Sequence, residues 1–199
     1  MKILDNTQLN IAASILKDGG VIAFPTETVF GLGVIFDNKT SYDRLISVKR
    51  RPPEKPFTLM CAYVDDIEKY AYVNEKAKKL IKAFMPGQFT IILKAKEGLP
   101  SWVVSKEGMV GIRVPDFKLI NELISKVGKP LLVPSANKSG EPPLTKDSDV
   151  IKVFDKEIDA IIKGESTSNV PSSIVMVDDD IHIIRLGLIS EEEIKGVLK

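Results

Sequence analysis

The sequence predicts a mixed β-sheet flanked by helices, of the α/β or α+β class. Short apolar runs recur along its 199 residues, and helical patterns separate several of them. Some neighbouring runs are joined by connections too short for a crossover helix, which favours a sheet with both parallel and antiparallel strands. With 44% apolar and 28% charged residues, the chain can bury a sizeable core, and we expect one domain over residues 1–199.

Helix-breaking residues delimit the first elements. Apolar residues at helical spacing over 9–16 predict a helix, which the glycines at 19–20 end. The apolar run 21–24 predicts a short buried strand. A second helix is expected at 41–50, because its apolar residues share one face and the prolines at 52–53 stop it.

The same patterns place the remaining elements. We expect strands at residues 58–62, 89–93, 110–114, 130–133, 174–177 and 181–184, and helices at 74–84, 117–127 and 190–198. Residues 175–181 indicate a hairpin with an acidic, exposed tip, and residues 165–173 indicate a loop.

Composition excludes several classes of protein. The balance of 28 Lys and Arg against 27 Asp and Glu is not that of a general nucleic-acid coat. No apolar stretch approaches the ~20 residues that span a bilayer, and no signal peptide is evident. One cysteine, Cys61, cannot form an intrachain disulfide and suits the cytoplasm. We expect Cys61 to be a small buried side chain and His182 an ordinary strand residue, not a catalytic pair.

Polar segments follow several of the strand-like runs, where open sheets place ligand sites. The hydroxyls and glycines of residues 25–33 suit close approach of a ligand, but also an ordinary helix cap and turn. Ser135 and Asn137 could donate to phosphate oxygens or satisfy a turn. Ser172 and Arg185 lie on either side of the predicted hairpin.

The basic cluster of residues 49–56 is the strongest local signal. It places Lys49, Arg50, Arg51 and Lys55 within eight residues of an otherwise neutral chain. Cations at a helix C-terminus complement the helix dipole and need no ligand. Four of them, one held beyond rigid prolines, favour a preformed site for phosphate or nucleic acid.

Arg113 is an unusual cation within an apolar strand and needs an anionic partner. That partner could be a substrate or a protein carboxylate in a buried ion pair. The sequence has no glycine-rich phosphate loop, no complete dinucleotide fingerprint and no acidic or histidine cluster with metal-ligand spacing. A nucleotide would therefore have to be held by side chains from separate loops.

In this order the segments resemble the YrdC family of threonylcarbamoyl-AMP synthases over residues 20–189. Each motif is modest, but their conjunction is specific. The matching residues are Pro25 to Gly33, Lys49/Arg51/Pro52, Pro86/Gly87/Thr90, Gly111/Arg113/Pro115 and Ser135/Asn137/Ser139/Gly140. Because the chain ends soon after residue 189, we expect the short, single-domain form of the family.

The resemblance implies a twisted α/β sheet curved around a basic cleft, and a reaction. L-threonine, bicarbonate and ATP would give threonylcarbamoyl-AMP and pyrophosphate. The product would go to a tRNA threonylcarbamoyl transferase complex that modifies an adenosine next to the anticodon. Mg²⁺ would arrive with ATP, through few or no protein ligands.

The resemblance also implies residue roles. Threonine would be held by Thr28, Arg113, Ser135 and Ser172, with Arg113 pairing its carboxylate. The nucleotide would be held by Arg51, Lys55, Asn137, Thr145 and Arg185. Lys49 would lie against the reacting carbamate or phosphates, so that Lys49 and Arg51 are the expected catalytic residues.

The chain departs from the family pattern at three places. Phe30 stands where tyrosine is commoner, Met60 where many members have histidine, and Pro171-Ser172-Ser173 replaces the usual Glu-Ser-Thr. Two other readings stay open. One is an RNA-binding module that uses the basic cleft without catalysis, although interleaved exposed aromatics are lacking. The other is a related carbamoyl-handling enzyme with another acceptor.

Overall fold

The computed structural model describes residues 1–52 and 56–199. The helices are α1 (Leu9–Lys17), α2 (Lys39–Lys49), α3 (Ile67–Tyr70), α4 (Glu75–Phe84), α5 (Lys118–Val127), α6 (Asp147–Phe154) and α7 (Glu191–Leu198). The strands are β1 (Lys2–Leu4), β2 (Ile22–Phe24), β3 (Gly31–Ile35), β4 (Leu59–Met60), β5 (Phe89–Lys94), β6 (Met109–Arg113), β7 (Leu131–Leu132), β8 (Ala160–Ile162), β9 (Ser173–Val177) and β10 (Ile181–Arg185).

The ten strands form one mixed sheet, in the order β1-β8-β2-β3-β7-β4-β6-β5-β9-β10. The sheet contains both parallel pairs, such as β5 with β9, and antiparallel pairs, such as β5 with β6. The α/β architecture and the mixed sheet predicted from the sequence are therefore confirmed. The acidic hairpin is also confirmed, because β9 and β10 pair antiparallel around residues 178–180.

Helices pack against both faces of the sheet because strand side chains alternate between faces. In β2, Ile22 and Phe24 join the core under α1 and α5, whereas Ala23 joins the core on the other face. That second core also receives Leu45 of α2 and Leu80 of α4. The end of α2 is thereby fixed close to the loop that follows β7.

Five elements were not predicted from the sequence: β1, β3, β8, α3 and α6. The glycines at 31 and 33 belong to β3 and not to a ligand loop. A Cβ on Gly33 would lie 2.5 Å from Cε1 of Phe24, and one on Gly31 would lie 2.7 Å from Cγ1 of Val133. Strand packing thus accounts for both glycines, and the polar loop after β2 is confined to residues 25–30.

Candidate active site

A cavity of about 560 Å³ opens on one face of β5, β6 and β9. The sheet register puts Ile92 beside both Gly111 and Met176, and Thr90 beside Ile174. This part of the floor is mainly apolar. The cavity extends from this floor to the end of β6 at Arg113, where charged and hydroxyl side chains line it.

Several elements contribute the polar wall. Of the described residues that line the cavity, the charged ones are Arg51, Arg113, Arg185 and the exposed Glu107. The hydroxyl-bearing ones are Thr28, Thr58, Thr90, Ser105, Ser135 and Ser172. Three guanidinium groups against one carboxylate suit an anionic ligand.

Arg113 lies on the wall and is only 6% exposed. Its Nε donates to the Gly87 carbonyl at 3.2 Å, and its Nη1 donates to Thr28 Oγ1 at 3.0 Å. Its Nη2 lies 2.8 Å from Glu27 Oε1. The structure therefore supplies the protein carboxylate that the sequence left as one alternative, while still presenting Arg113 to the cavity.

Arg185 and Ser172 meet next to Arg113. Arg185 donates from Nε and Nη2 to the Ser172 carbonyl, at 3.0 and 2.8 Å. The Ser172 hydroxyl lies 2.9 Å from Thr90 Oγ1. Burial lowers the pKa of Arg185, and the nearby charge of Arg113 adds to that effect. Two neighbouring guanidinium groups make this end of the cavity attractive to a carboxylate or phosphate.

Arg51 enters the cavity from the segment after α2. Its Nη2 donates to the Pro56 carbonyl at 3.3 Å, and its guanidinium carbon lies 5.0 Å from the centre of the Phe57 ring. Burial lowers the pKa of Arg51. Lys55, the other predicted nucleotide contact of this segment, lies outside the described residues.

Lys49 is buried behind the wall and is 2% exposed, and it is not among the described residues that line the cavity. Its Nζ donates to the Ser135 carbonyl at 2.5 Å, to the Asn137 carbonyl at 2.8 Å and to Asn137 Oδ1 at 3.0 Å. Contact with phosphates would require it to give up some of these acceptors. In this arrangement Lys49 joins α2 to the loop that carries Ser135.

Asn137 also lies inside this loop and not among the described cavity-lining residues. Its Oδ1 accepts from Ser135 Oγ at 2.6 Å, and its Nδ2 donates to the carbonyls of Lys138 and Glu141. Thr145 is half-buried outside the cavity wall, where its carbonyl accepts from the Ser166 amide. The predicted nucleotide contacts thus divide: Arg51 and Arg185 face the cavity, whereas Asn137 and Thr145 lie in the adjoining loop.

Burial lowers the pKa of Lys49 to about 7, and the positive charges of Arg51 and Lys138 add to the shift. An unfolded lysine titrates near ~10.4. Between these values the unfolded chain binds more protons, so the contribution of Lys49 to stability rises with pH over that window; as pH falls it is lost over the same window, and the loss is complete below about 7.

Replacing this amine should therefore change the pH dependence of stability. In Lys49→Met, which keeps the length but cannot be protonated, we expect the free energy of unfolding to lose the rise between about pH 7 and about pH 10. Urea unfolding of both proteins across that range measures the difference. A constant gap between wild type and variant would contradict the lowered pKa.

Cys61 and Met60 are both buried. Burial raises the pKa of Cys61 to about 12, as expected for an inert thiol. His182 lies in β10, as predicted. Met60 lines the cavity, whereas Phe30 is fully buried in the core.

Glu27 is the main feature that sequence reasoning missed. It is 7% exposed, and its carboxylate contacts Arg113, which lines the cavity. The sequence shows only a glutamate between two threonines after an apolar run. The burial of all three residues, which makes Glu27 require a cationic partner, is seen in the structure. Only the folded structure shows that Glu27 and Arg113, which are 86 residues apart in the sequence, contact each other.

In residues 1–52 and 56–199, no group of three or more His, Cys, Asp or Glu side chains is arranged to hold a metal ion. Within the same ranges, every helix is too short or too polar to cross a membrane.

Fold and site define an α/β protein with a cavity suited to anions on the face of a mixed sheet. Residues 14–187 match the sequence family Sua5_yciO_yrdC, which carries the description "Telomere recombination". The chain belongs to this family.

Named relatives agree with the fold and with the motifs. A threonylcarbamoyl-AMP synthase of Bacillus subtilis is 37% identical over 198 residues, covering 98% of this chain and 57% of that protein. A putative threonylcarbamoyl-AMP synthase of Methanocaldococcus jannaschii is 39% identical over 176 residues, covering 87% of this chain and 83% of that protein.

A solved structure is also similar. Sua5 of P. abyssi, crystallised with L-threonine, superposes with a TM-score of 0.94 at 30% identity. The match covers 100% of this chain and 61% of the P. abyssi chain. This chain therefore spans about three fifths of the length of the Bacillus and P. abyssi relatives.

Proposed function

We propose that this protein is an L-threonylcarbamoyladenylate synthase, which converts L-threonine, bicarbonate and ATP to threonylcarbamoyl-AMP and pyrophosphate. The observation that carries the proposal is the convergence of Arg51, Arg113 and Arg185 on one cavity. A carboxylate and a polyphosphate need such a wall at the same time. The relatives named as synthases, and the relative crystallised with threonine, support the same reading.

The proposed chemistry needs alignment and charge neutralisation more than a side-chain nucleophile. Threonine's amine captures carbon dioxide with loss of a proton, or bicarbonate with loss of water, to give a carbamate. A carbamate oxygen then attacks the α-phosphate of ATP and displaces pyrophosphate. Guanidinium groups aimed at the carboxylate and at the phosphates hold the reactants in line and stabilise charge that develops on phosphate oxygens. The buried, inert Cys61 is consistent with this mechanism.

The composition of the polar wall suggests that different residues bind threonine and the nucleotide. Arg113 and the hydroxyls of Thr28, Ser135 and Ser172 would hold threonine, while Arg51 and Arg185 would hold the nucleotide. Arg113 Nη2 has no hydrogen-bond partner among the described residues, despite its ion pair. That donor is itself buried, so a carboxylate in the cavity would meet the part of the Arg113 side chain that lines the wall.

Mg²⁺ is proposed to enter with ATP, neutralising phosphate charge. This fits the wall, where Glu107 is the one carboxylate among the described lining residues, too few for a separate protein-held ion. We further propose a cytoplasmic location and delivery of the product to a tRNA threonylcarbamoyl transferase complex. Weak RNA binding near the cavity would be compatible with that delivery.

The direct test is pyrophosphate release by the purified protein with Mg²⁺ and ATP. We expect release to require threonine and bicarbonate together, because the attacking carbamate needs both. Mass spectrometry should detect threonylcarbamoyl-AMP as the accompanying product. Valine, which has the shape of threonine without its hydroxyl, is the matched control and should support little turnover.

Three outcomes would favour other functions. Pyrophosphate release at the same rate without threonine would indicate a plain nucleotidase. Turnover with bicarbonate and a different acceptor would indicate a related carbamoyl-handling enzyme. RNA binding without any ATP turnover would favour the non-catalytic module.

A further inference from the structure

Glu27 lies behind the cavity wall and connects several of its segments. Its Oε1 is 2.8 Å from Arg113 Nη2 and accepts the Asp116 amide at 3.1 Å. Its carbonyl accepts from Gln88 Nε2 at 3.2 Å and from Thr167 Oγ1 at 2.9 Å. One buried residue thus contacts the end of β6, the loop after it, the loop before β5 and the loop before β9.

The guanidinium of Arg113 is held at each of its three nitrogens by a different kind of group. Nε meets a backbone carbonyl, Nη1 meets the hydroxyl of Thr28, and Nη2 meets the carboxylate of Glu27. Of these contacts, the carboxylate is the charged one. Loss of charge at Glu27 therefore removes the strongest restraint on the orientation of Arg113.

Stability alone does not explain this pair. Burying two charges costs desolvation that their attraction repays only with good geometry and satisfied remaining groups. Here Glu27 Oε2 and Arg113 Nη2 have no hydrogen-bond partner among the described residues. An ion pair that is buried, close and incompletely satisfied holds Arg113 without using all of its donors.

We propose that Glu27 is a positioning residue, which fixes the orientation of the Arg113 guanidinium toward an anionic substrate group in the cavity. The assignment rests on the proposed function only in naming that group as the carboxylate of threonine. Glu27 itself does not line the cavity, so it acts through Arg113.

The test uses Glu27→Gln, which keeps the size and one oxygen acceptor but removes the charge. We expect the KM for threonine to rise about 10-fold or more, while the KM for ATP changes little, because one charge-assisted contact is lost. In the Arg113→Lys background the same change should add less than about 2-fold, because Glu27 acts through Arg113.

The matched control is Asp159→Asn. Asp159 pairs with Arg44 at 2.9 Å and accepts the Val21 amide at 2.7 Å, the same kinds of contact that the Glu27 carboxylate makes, but it is half-buried and is not among the described residues lining the cavity. We expect this control to leave both KM values unchanged.

If Glu27→Gln fails to fold, Glu27→Asp is measured instead. Its shorter chain cannot reach both partners and should change threonine KM in the same direction.

A second measurement does not depend on turnover. In ¹⁵N NMR of wild type, the Arg113 guanidinium, assigned with Arg113→Lys, should show restricted rotation that Glu27→Gln removes. If wild type fails to use threonine, the proposed function fails while this result still decides the role of Glu27. An unchanged guanidinium signal would overturn the positioning role. A lower threonine KM in Glu27→Gln would also overturn it, by showing that Glu27 acts through charge competition.

Discussion

Arg51→Ala is expected to lower turnover by about 100-fold while leaving the fold intact. Arg51 lies on the cavity wall and presents a charged, fork-shaped donor where the phosphates of ATP are proposed to lie. Removing one donor aimed at developing charge typically costs 100-fold or more in rate. Its protein contacts include the Pro56 carbonyl and the Phe57 ring, so the loss of stability should be modest.

Arg50→Ala is the control for this prediction. Arg50 is the adjacent residue and carries the same charge, but it is exposed and is not among the described residues that line the cavity. Steady-state pyrophosphate release and thermal unfolding of both variants measure the difference. Near-normal turnover in Arg51→Ala would show that the basic cluster is only a helix terminus.

Lys49 was predicted, like Arg51, to be a catalytic residue. In the structure it holds a loop, so we expect removal of its side chain to lower turnover by a different mechanism. Lys49→Ala removes the donor for three oxygens of the loop that carries Ser135, so we expect reduced turnover through displacement of that loop. The two variants can be told apart by amide hydrogen exchange over residues 135–141. Exchange should accelerate in Lys49→Ala and stay unchanged in Arg51→Ala.

Secondary structure was predictable where the pattern was local and long enough. The helix at residues 117–127 and the strand at 89–93 were found from periodicity and agree with α5 and β5 to within one residue at each end. β1 and β8 were missed because three residues are too few to show alternation; β2, of the same length, was found only as an apolar run between Gly20 and Pro25. β1 and β8 pair with each other although their partners, such as Lys2 and Ala160, are 158 residues apart.

The site was predictable in composition more than in arrangement. Arg113 and Ser172 were expected beside a ligand and do line the cavity. The contact between Lys49 and Asn137 joins residues 88 apart, and no local pattern reports it. A buried cation can bind a substrate or hold a loop in place, and only the tertiary structure distinguishes the two roles.

Arg113→Lys is expected to raise the KM for threonine at least about 10-fold, and to change ATP affinity less. A guanidinium can bind a carboxylate through two parallel hydrogen bonds, whereas an ammonium is a single point charge. The lysine amine also cannot keep all of the contacts that the guanidinium makes to Gly87, Thr28 and Glu27. Some loss of stability is therefore expected in either role.

Threonine KM, ATP Kd and melting temperature, measured on one preparation, separate the two roles of Arg113. A substrate role predicts a threonine KM that rises far more than ATP Kd, even after compensation for the fraction unfolded. A large fall in melting temperature with an unchanged threonine KM would make Arg113 the structural partner of Glu27. The carboxylate of threonine would then have to be bound by Arg185, whose guanidinium donates to the Ser172 carbonyl.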